Sequence, residues 1–476
     1  MRIAVLSTFL NLFISCLFLS CDSEPDTLLP ELTVAGISQG EKLSNEVTLS
    51  IAASDNEGVS KVEFFLDDIM VSSLNKEPYT FTWNTLQSSD GDHTVKIVVT
   101  DNSGNRREEA VTVSINNALV KIDLGNYLLD GYKGYIVVTD LAGNVLYKKQ
   151  FSNNEKLRPK PETSFTGENV NVYLVHHGNP YYHTSAYLNI KKGSYCDMTP
   201  KPVSGVQNPI KLRLKNTGTF DFLSYGTDYS STTIRSINDT TITNFNYMTG
   251  GKIYAQVVSG DQGKYDFLDI EPNKASFDVD ISLLSNVSKK QTITFPITTY
   301  GSFYLAGVGD EHSYFFLFQR EFSGTNTSIY YPEIFDDYFQ LLRYSIENRH
   351  YSYAKTGSII SDYPAFNVNA TITSPYPSDF KLTFNGVFDH YSVDFESSSS
   401  PQFIHVYAPY YITEFQIPDF TSIIDVPKLN FYSFDRKYIT LTDTEGMTQE
   451  QNKFDFDYAL YPKGLLQKHV SIFFGH

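Results

Sequence analysis

Residues 91–105 read GDHTVKIVVTDNSGN. In this stretch His93, Val95, Ile97 and Val99 alternate with Thr94 and Lys96, and a turn cluster, Asp101-Asn102-Ser103-Gly104-Asn105, follows. A period of two places every second side chain on one face, which is the pattern of a half-buried strand. The same pattern recurs on both sides. Val47, Leu49, Ile51 and Ala53 alternate with Thr48 and Ser50, and Val62, Phe64 and Leu66 alternate with Lys61 and Glu63. Val111, Val113 and Ile115 alternate with Thr112 and Ser114. A second turn cluster, Asp55-Asn56-Glu57-Gly58, separates two of these runs. Short amphipathic strands at this spacing predict an antiparallel sandwich over residues 31–116.

The wording of these strands carries a resemblance. SDNEGVSKVEFFLDD (54–68), EPYTFTWNT (77–85) and GDHTVKIVVTDNSGN resemble the bacterial immunoglobulin-like domains found as tandem modules on exported proteins. The resemblance implies a spacer or adhesive module and no catalysis. Trp83, the single tryptophan, is expected in the core of this module; its other reading is a sugar-stacking platform.

Strand signals continue to the C-terminus. Tyr135–Thr139 and Val145–Tyr147 flank Asp140-Leu141-Ala142-Gly143-Asn144, a Gly-containing hairpin turn. This hairpin resembles exported carboxypeptidase-regulatory-like or transthyretin-like β-sandwiches, which suggests a β-sandwich domain over 117–200. Thr199-Pro200-Lys201-Pro202 reads as a boundary, and 203–476 as one or two further β-rich domains. Glu333–Arg349 fits both a helical and a strand period, and its surroundings favour the strand. The expected class is all-β, with tandem antiparallel β-sandwiches of which the first is immunoglobulin-like. A chain with 34 Tyr and 35 Phe is biased the same way, because aromatic side chains suit pleated surfaces.

The N-terminus reads as an address. Residues 1–21, MRIAVLSTFLNLFISCLFLSC, have a positive start at Arg2 and a long apolar run, the signature of a secretory signal peptide. Phe18-Leu19-Ser20-Cys21 resembles a lipobox, which implies lipid on Cys21; Cys16 is a competing match. The tether 22–30 is acidic at Asp22, Glu24 and Asp26, resembling the export signal of surface-exposed lipoproteins. The expected location is therefore the outer membrane, lipid-anchored and facing the cell surface. With Cys21 acylated, Cys196 has no partner for a disulfide. A net charge of -17 argues against nucleic acid, which demands a concentrated basic footprint.

Catalytic signals are weak. Gly36-Ile37-Ser38-Gln39-Gly40 has the nucleophile-elbow spacing but lies in a strand and turn with no helix to follow. Gly307-Val308-Gly309 lacks the third glycine and the βαβ setting of a dinucleotide loop. His176, His177 and His183 are the densest histidine group. On a strand His176 and His177 point apart, which leaves His177 to meet His183 across Gly178-Asn179-Pro180, and two ligands make a poor metal site. Asp278/Asp280 and Asp455/Asp457 share strand faces and read as solvated carboxylates. No cofactor, metal or catalytic residue is expected.

The favoured function is non-catalytic binding: adhesion, or glycan capture for polysaccharide uptake. The alternatives are a hydrolase carrying an accessory Ig-like domain and a purely structural envelope component. The layout of lipid, Ig-like spacer and distal β domains resembles starch-binding accessory lipoproteins. Candidate ligand-binding residues are Tyr181, Tyr182, Tyr330, Tyr331, Tyr410 and Tyr411, because tyrosines near loops offer flat amphipathic contact. The partners expected are the membrane, through the lipid, and a glycan or protein ligand.

Overall fold

A computed structural model describes residues 25–445 and 468–475, apart from 199–207, 229, 236–241, 248–250, 272–275, 310–313 and 348. The protein is all-β: its described helical segments are short 3-10 turns such as Thr85–Gln87 and Phe420–Ser422. Glu333–Arg349 resolves as the strand Asp337–Ile346, as its surroundings suggest. No helix among the described residues is long and apolar enough to cross a membrane.

The chain forms two compact units. The first comprises residues up to Ala118 plus the excursion Pro161–Thr166, and the second comprises Leu119–Lys160 and Gly167 onward. The first unit is an Ig-like sandwich. A three-stranded sheet (Glu31–Ala35, Glu46–Ser54, Tyr79–Asn84) faces a five-stranded one that includes Val59–Leu66, Gly91–Asp101 and Arg106–Ile115. The alternation explains the packing. Leu49, Val62, Phe64, Val95, Ile97, Val99 and Val113 are buried in one cluster with Trp83, whose indole Nε1 donates to Ser88 Oγ at 3.2 Å. The unit extends past the expected end at 116. Asn45 holds Phe165 at both ends, donating from Nδ2 to the Phe165 carbonyl (3.0 Å) and accepting from the Phe165 N–H (3.0 Å).

The second unit is organised by one twelve-stranded sheet. From one edge to the other its strands are Val145–Phe151, Lys133–Thr139, Asn169–Gly178, Tyr181–Lys191, Gln402–Pro409, His390–Glu396, Arg436–Glu445, Lys468–Gly475, Arg349–Gly357, Asp337–Ile346, Lys289–Val308 and Tyr314–Tyr331. The expected boundary near residue 200 therefore does not separate two folding units. Tyr181–Lys191 pairs in parallel with Gln402–Pro409, with Tyr182 opposite Gln402 and Tyr187 opposite Tyr407, and this joins the hairpins of 133–191 to the C-terminal strands. Parallel partners cannot be joined by a tight turn, so chain-local turn signals do not mark such a contact.

One face of this sheet is sealed by a large aromatic core. Phe303, Tyr391, Phe395 and Leu441 from the sheet are buried with Phe380, Leu382 and Phe415 from the small sheet of Asn369–Tyr376, Asp379–Asn385 and Glu414–Phe415. Residues 208–287 contribute a three-stranded and a five-stranded sheet with a core of their own, including Leu212, Leu223, Ile253 and Val279. This piece meets the long sheet backbone to backbone. Phe316 N–H donates to the Thr227 carbonyl at 2.9 Å, and a Cβ at Gly226 would sit 1.8 Å from the Phe316 carbonyl oxygen. Only glycine permits that approach.

Candidate functional site

The second face of the long sheet passes from covered to open along one row of side chains. Cross-strand pairing sets Tyr187 beside Tyr407, then Ser392, Thr440, Phe473, His350 and Ser345, in consecutive strands. Directly paired residues share a face. At one end Tyr187 and Tyr407 are buried and stack at 5.0 Å. At the other, Phe473 is half-buried and His350 and Ser345 are exposed.

Around that exposed end lies a shallow cleft of about 400 Å3. Phe473 and His350 bring rings to its lining, and Tyr438 continues the run beside it. Tyr438 stacks on Phe473 (centroids 5.2 Å apart, planes at 18°), and Phe473 contacts His350 at 5.8 Å. Its polar element comes from the neighbouring strands. Arg343 is opposite Ser302, Ser302 is opposite Glu321, and Ser345 Oγ lies 2.7 Å from His350 Nδ1. Tyr300, 61% exposed, rises beside them. Its phenol is held protonated above its ordinary range, first by the hydrogen bond to Glu321 and then by desolvation and the Glu321 charge. The cleft thus offers apolar ring faces next to both donors and acceptors. Among the described residues Glu321 is the one carboxylate lining it.

The tyrosines singled out from sequence separate into two groups. Tyr181, Tyr410 and Tyr411 are exposed, at 50%, 49% and 47%. Tyr182, Tyr330 and Tyr331 are buried, and none of them presents a ring to a ligand. Adjacent strand residues face opposite ways, but here both faces are covered. Tyr330 packs on Phe222 and donates to the Gly260 carbonyl at 3.2 Å, while Tyr331 packs on Tyr338 and donates to Gln291 Oε1 at 3.1 Å. Tyr410 and Tyr411 lie in the turn beyond Pro409, where neither is drawn into the sheet, and the Tyr411 hydroxyl accepts from Asn189 Nδ2 at 2.7 Å. None of the six lines the cleft. Sequence reasoning misses Phe473, Tyr438 and His350 because their strands join only through distant pairing; the aromatic-polar alternation in RHYSY (349–353) is the available signal.

The histidine hairpin also differs from expectation. Gly178 pairs with Tyr181, so the turn has two residues, and the partner of His183 is His176 rather than His177. The His176 and His183 rings stack at 4.7 Å, while His177 faces the other way beside Tyr182 and Tyr135. Burial pushes His176 down to about 4, helped by His177, and pushes His183 down to about 3, helped by the nearby His176 and His405. Both are neutral at pH 7.

The remaining motifs have structural roles. Gly36–Gly40 is a turn: a Cβ at Gly36 would lie 2.2 Å from the Thr48 carbonyl oxygen, and Ser38 Oγ donates to Glu41 Oε2 at 2.9 Å. Asp278 forms ion pairs with Lys215 and Arg213, and Asp280 caps the turn Ile281–Leu283 by accepting from Ser282 N–H at 3.0 Å. Cys21 and the pair Asp455/Asp457 lie outside the described residues.

Comparison with known proteins locates the first unit. Residues 30–97 match the bacterial Ig domain family. No curated protein matches the chain. Among solved structures, the fibronectin(III)-like modules of CbhA from Clostridium thermocellum share 26% identity (TM-score 0.17; 18% of this chain, 94% of that one). A promiscuous carbohydrate-binding module of the β-sandwich superfamily shares 14% (TM-score 0.17; 52% and 98%). SGBP-B of the Bacteroides ovatus mixed-linkage glucan utilization locus, solved with a mixed-linkage heptasaccharide, shares 9% (TM-score 0.19; 65% and 93%).

Proposed function

We propose that this is a non-catalytic binding protein whose ligand is a glycan held on the open end of the long sheet. The observation that carries the reading is the Phe473–His350 ring contact set beside Ser345, Arg343 and Glu321 in one shallow cleft, with Tyr438 stacked on Phe473 next to it. Sugars present apolar C–H faces and an equatorial ring of hydroxyls. Stacked aromatic faces take the first, and mixed donors and acceptors take the second. An open cleft admits the middle of a chain rather than only its end. The exposed Tyr181, Tyr410 and Tyr411 add further aromatic contact on the same unit.

The proposed setting is an outer-membrane lipoprotein anchored through Cys21, with the acidic tether directing it to the cell surface. It rests on residues 1–26 of the sequence. Cys21→Ser is expected to leave an unacylated precursor; fatty-acid labelling that persists in that variant places the lipid elsewhere.

The binding reading is tested by affinity electrophoresis of the purified protein against a panel of plant and microbial polysaccharides. Retardation by at least one polysaccharide, lost in Tyr438→Ala/Phe473→Ala and without release of reducing ends, supports it. Release of reducing ends that disappears in Glu321→Gln would replace it with a hydrolase.

A further inference from the structure

A second constellation lies on the same sheet face, toward the opposite edge. His176 is opposite His183, and the next strand carries His405, opposite Ser185. Ser185 and His183 are two apart on one strand, so all three imidazoles project from one face. The sequence places His405 more than two hundred residues from the hairpin; only the parallel pairing brings it there.

Three observations bear on what this group is for. First, one ring nitrogen of each histidine is buried without a hydrogen-bond partner: Nδ1 of His176, Nδ1 of His183 and Nε2 of His405. Buried polar atoms are nearly always satisfied, and three orphans in one patch need a reason. Second, His405 Nδ1 bonds to the Asp394 carboxylate on the adjacent strand. A carboxylate only accepts, so Nδ1 carries the hydrogen, and it is Nε2 that offers a lone pair in the neutral imidazole. That is the arrangement by which a carboxylate orients a metal-ligating histidine. Third, the His176 and His183 rings already lie against each other on adjacent strands, 4.7 Å between centroids.

We propose that His176, His183 and His405 bind a divalent transition-metal ion of the imidazole-preferring class, with Asp394 fixing the His405 ring. Zinc suits three imidazoles and completes its coordination with water. The rings are not gathered in advance: among the described residues the one group of three ligand-type side chains with all ligating atoms within 4.8 Å of one another is Asp26, Asp55 and Asp101, in the other unit. Binding therefore turns the half-buried His176 and His183 rings toward His405. The orphaned nitrogens give up no hydrogen bond when they turn.

The test is calorimetric titration of the purified protein with zinc chloride at pH 7.5. One saturable site per chain is expected. His183→Ala and His405→Gln should each weaken it at least tenfold, and Asp394→Asn about tenfold, the usual effect of removing an orienting carboxylate. His177→Ala shares the hairpin but faces away, and should leave the affinity unchanged. Cobalt(II) gives a readout on the unmutated protein: visible d–d bands of four-coordinate intensity that zinc displaces. Wild-type affinity no greater than that of His183→Ala, or a cobalt spectrum indistinguishable from the aqueous ion, overturns the proposal.

Discussion

Tyr438 and Phe473 stack across neighbouring strands at 5.2 Å with their planes 18° apart, and the pair lies where the long sheet emerges from cover. Cross-strand aromatic pairs contribute only about 0.2–1 kcal/mol to a sheet. Phe473→Ala should therefore shift the thermal midpoint little. If the pair is the sugar platform, the same change should weaken glycan binding tenfold or more, about 1.4 kcal/mol. Calorimetry and a thermal melt on one variant separate the two quantities. A large loss of stability with unchanged binding would return the pair to a structural role.

Tyr331→Ala should behave in the opposite way. Its ring is buried against Tyr338, its hydroxyl donates to Gln291, and it belongs to the core cluster of the long sheet. Truncating a buried aromatic costs about 3–5 kcal/mol. The expected outcome is a clear fall in the denaturation midpoint of the second unit, with glycan affinity per folded molecule unchanged.

Acid should destabilise the second unit through its paired histidines. An unfolded chain protonates them near pH 6.5, whereas burial holds His176 to about 4 and His183 to about 3 in the native state. Below pH 6.5 the unfolded state binds more protons, so stability falls as pH falls toward 4 and is unaffected by these groups above pH 7. The groups facing them are His405 with its Asp394, and Tyr127 and Tyr132, whose rings pack on His176; His177 adds its charge from the opposite face. His176→Gln/His183→Gln should flatten the dependence of the thermal midpoint between pH 6.5 and 4. An equally steep profile in the double variant would assign the acid sensitivity to other groups.

What could be read from sequence follows from how local each feature is. The Ig-like sandwich was legible because Leu49, Val62, Ile97 and Val113 mark strands joined by nearby turns, and burial follows their alternation. The strand at Asp337–Ile346 was legible from its neighbours. The undivided long sheet was not, since Tyr187 meets Tyr407 across a parallel pairing that no turn announces. The cleft shares that fate: Tyr300, Arg343, His350 and Phe473 come from four strands. Tyrosine doublets were a poor guide because period-two reasoning assumes one wet face, and around Tyr330 and Tyr331 the sheet has none.

Trp83 makes the first unit separately observable. It is the only tryptophan of the chain, it is 4% exposed, and its ring packs in the Ig-like core. Native emission should accordingly be blue-shifted, and its loss in urea should report the first unit alone, while far-UV circular dichroism reports both. Ser88→Ala leaves the indole N–H without the oxygen it donates to and should cost about 1–3 kcal/mol in the fluorescence transition. Asn45 gives a sharper case. It ties Phe165, from the excursion Pro161–Thr166, to this unit by one donated and one accepted hydrogen bond. A contiguous module ending at 116 would be indifferent to Phe165. If the excursion belongs to the fold, Asn45→Ala should lower the fluorescence midpoint by the worth of those two bonds, about 1–3 kcal/mol at net values of roughly 0.5–1.5 each. Asn45 also adopts a positive φ of 63°, which asparagine tolerates better than alanine, so Asn45→Gly serves as the backbone-neutral control. A fluorescence midpoint unchanged in both variants would detach the excursion from the Ig-like unit.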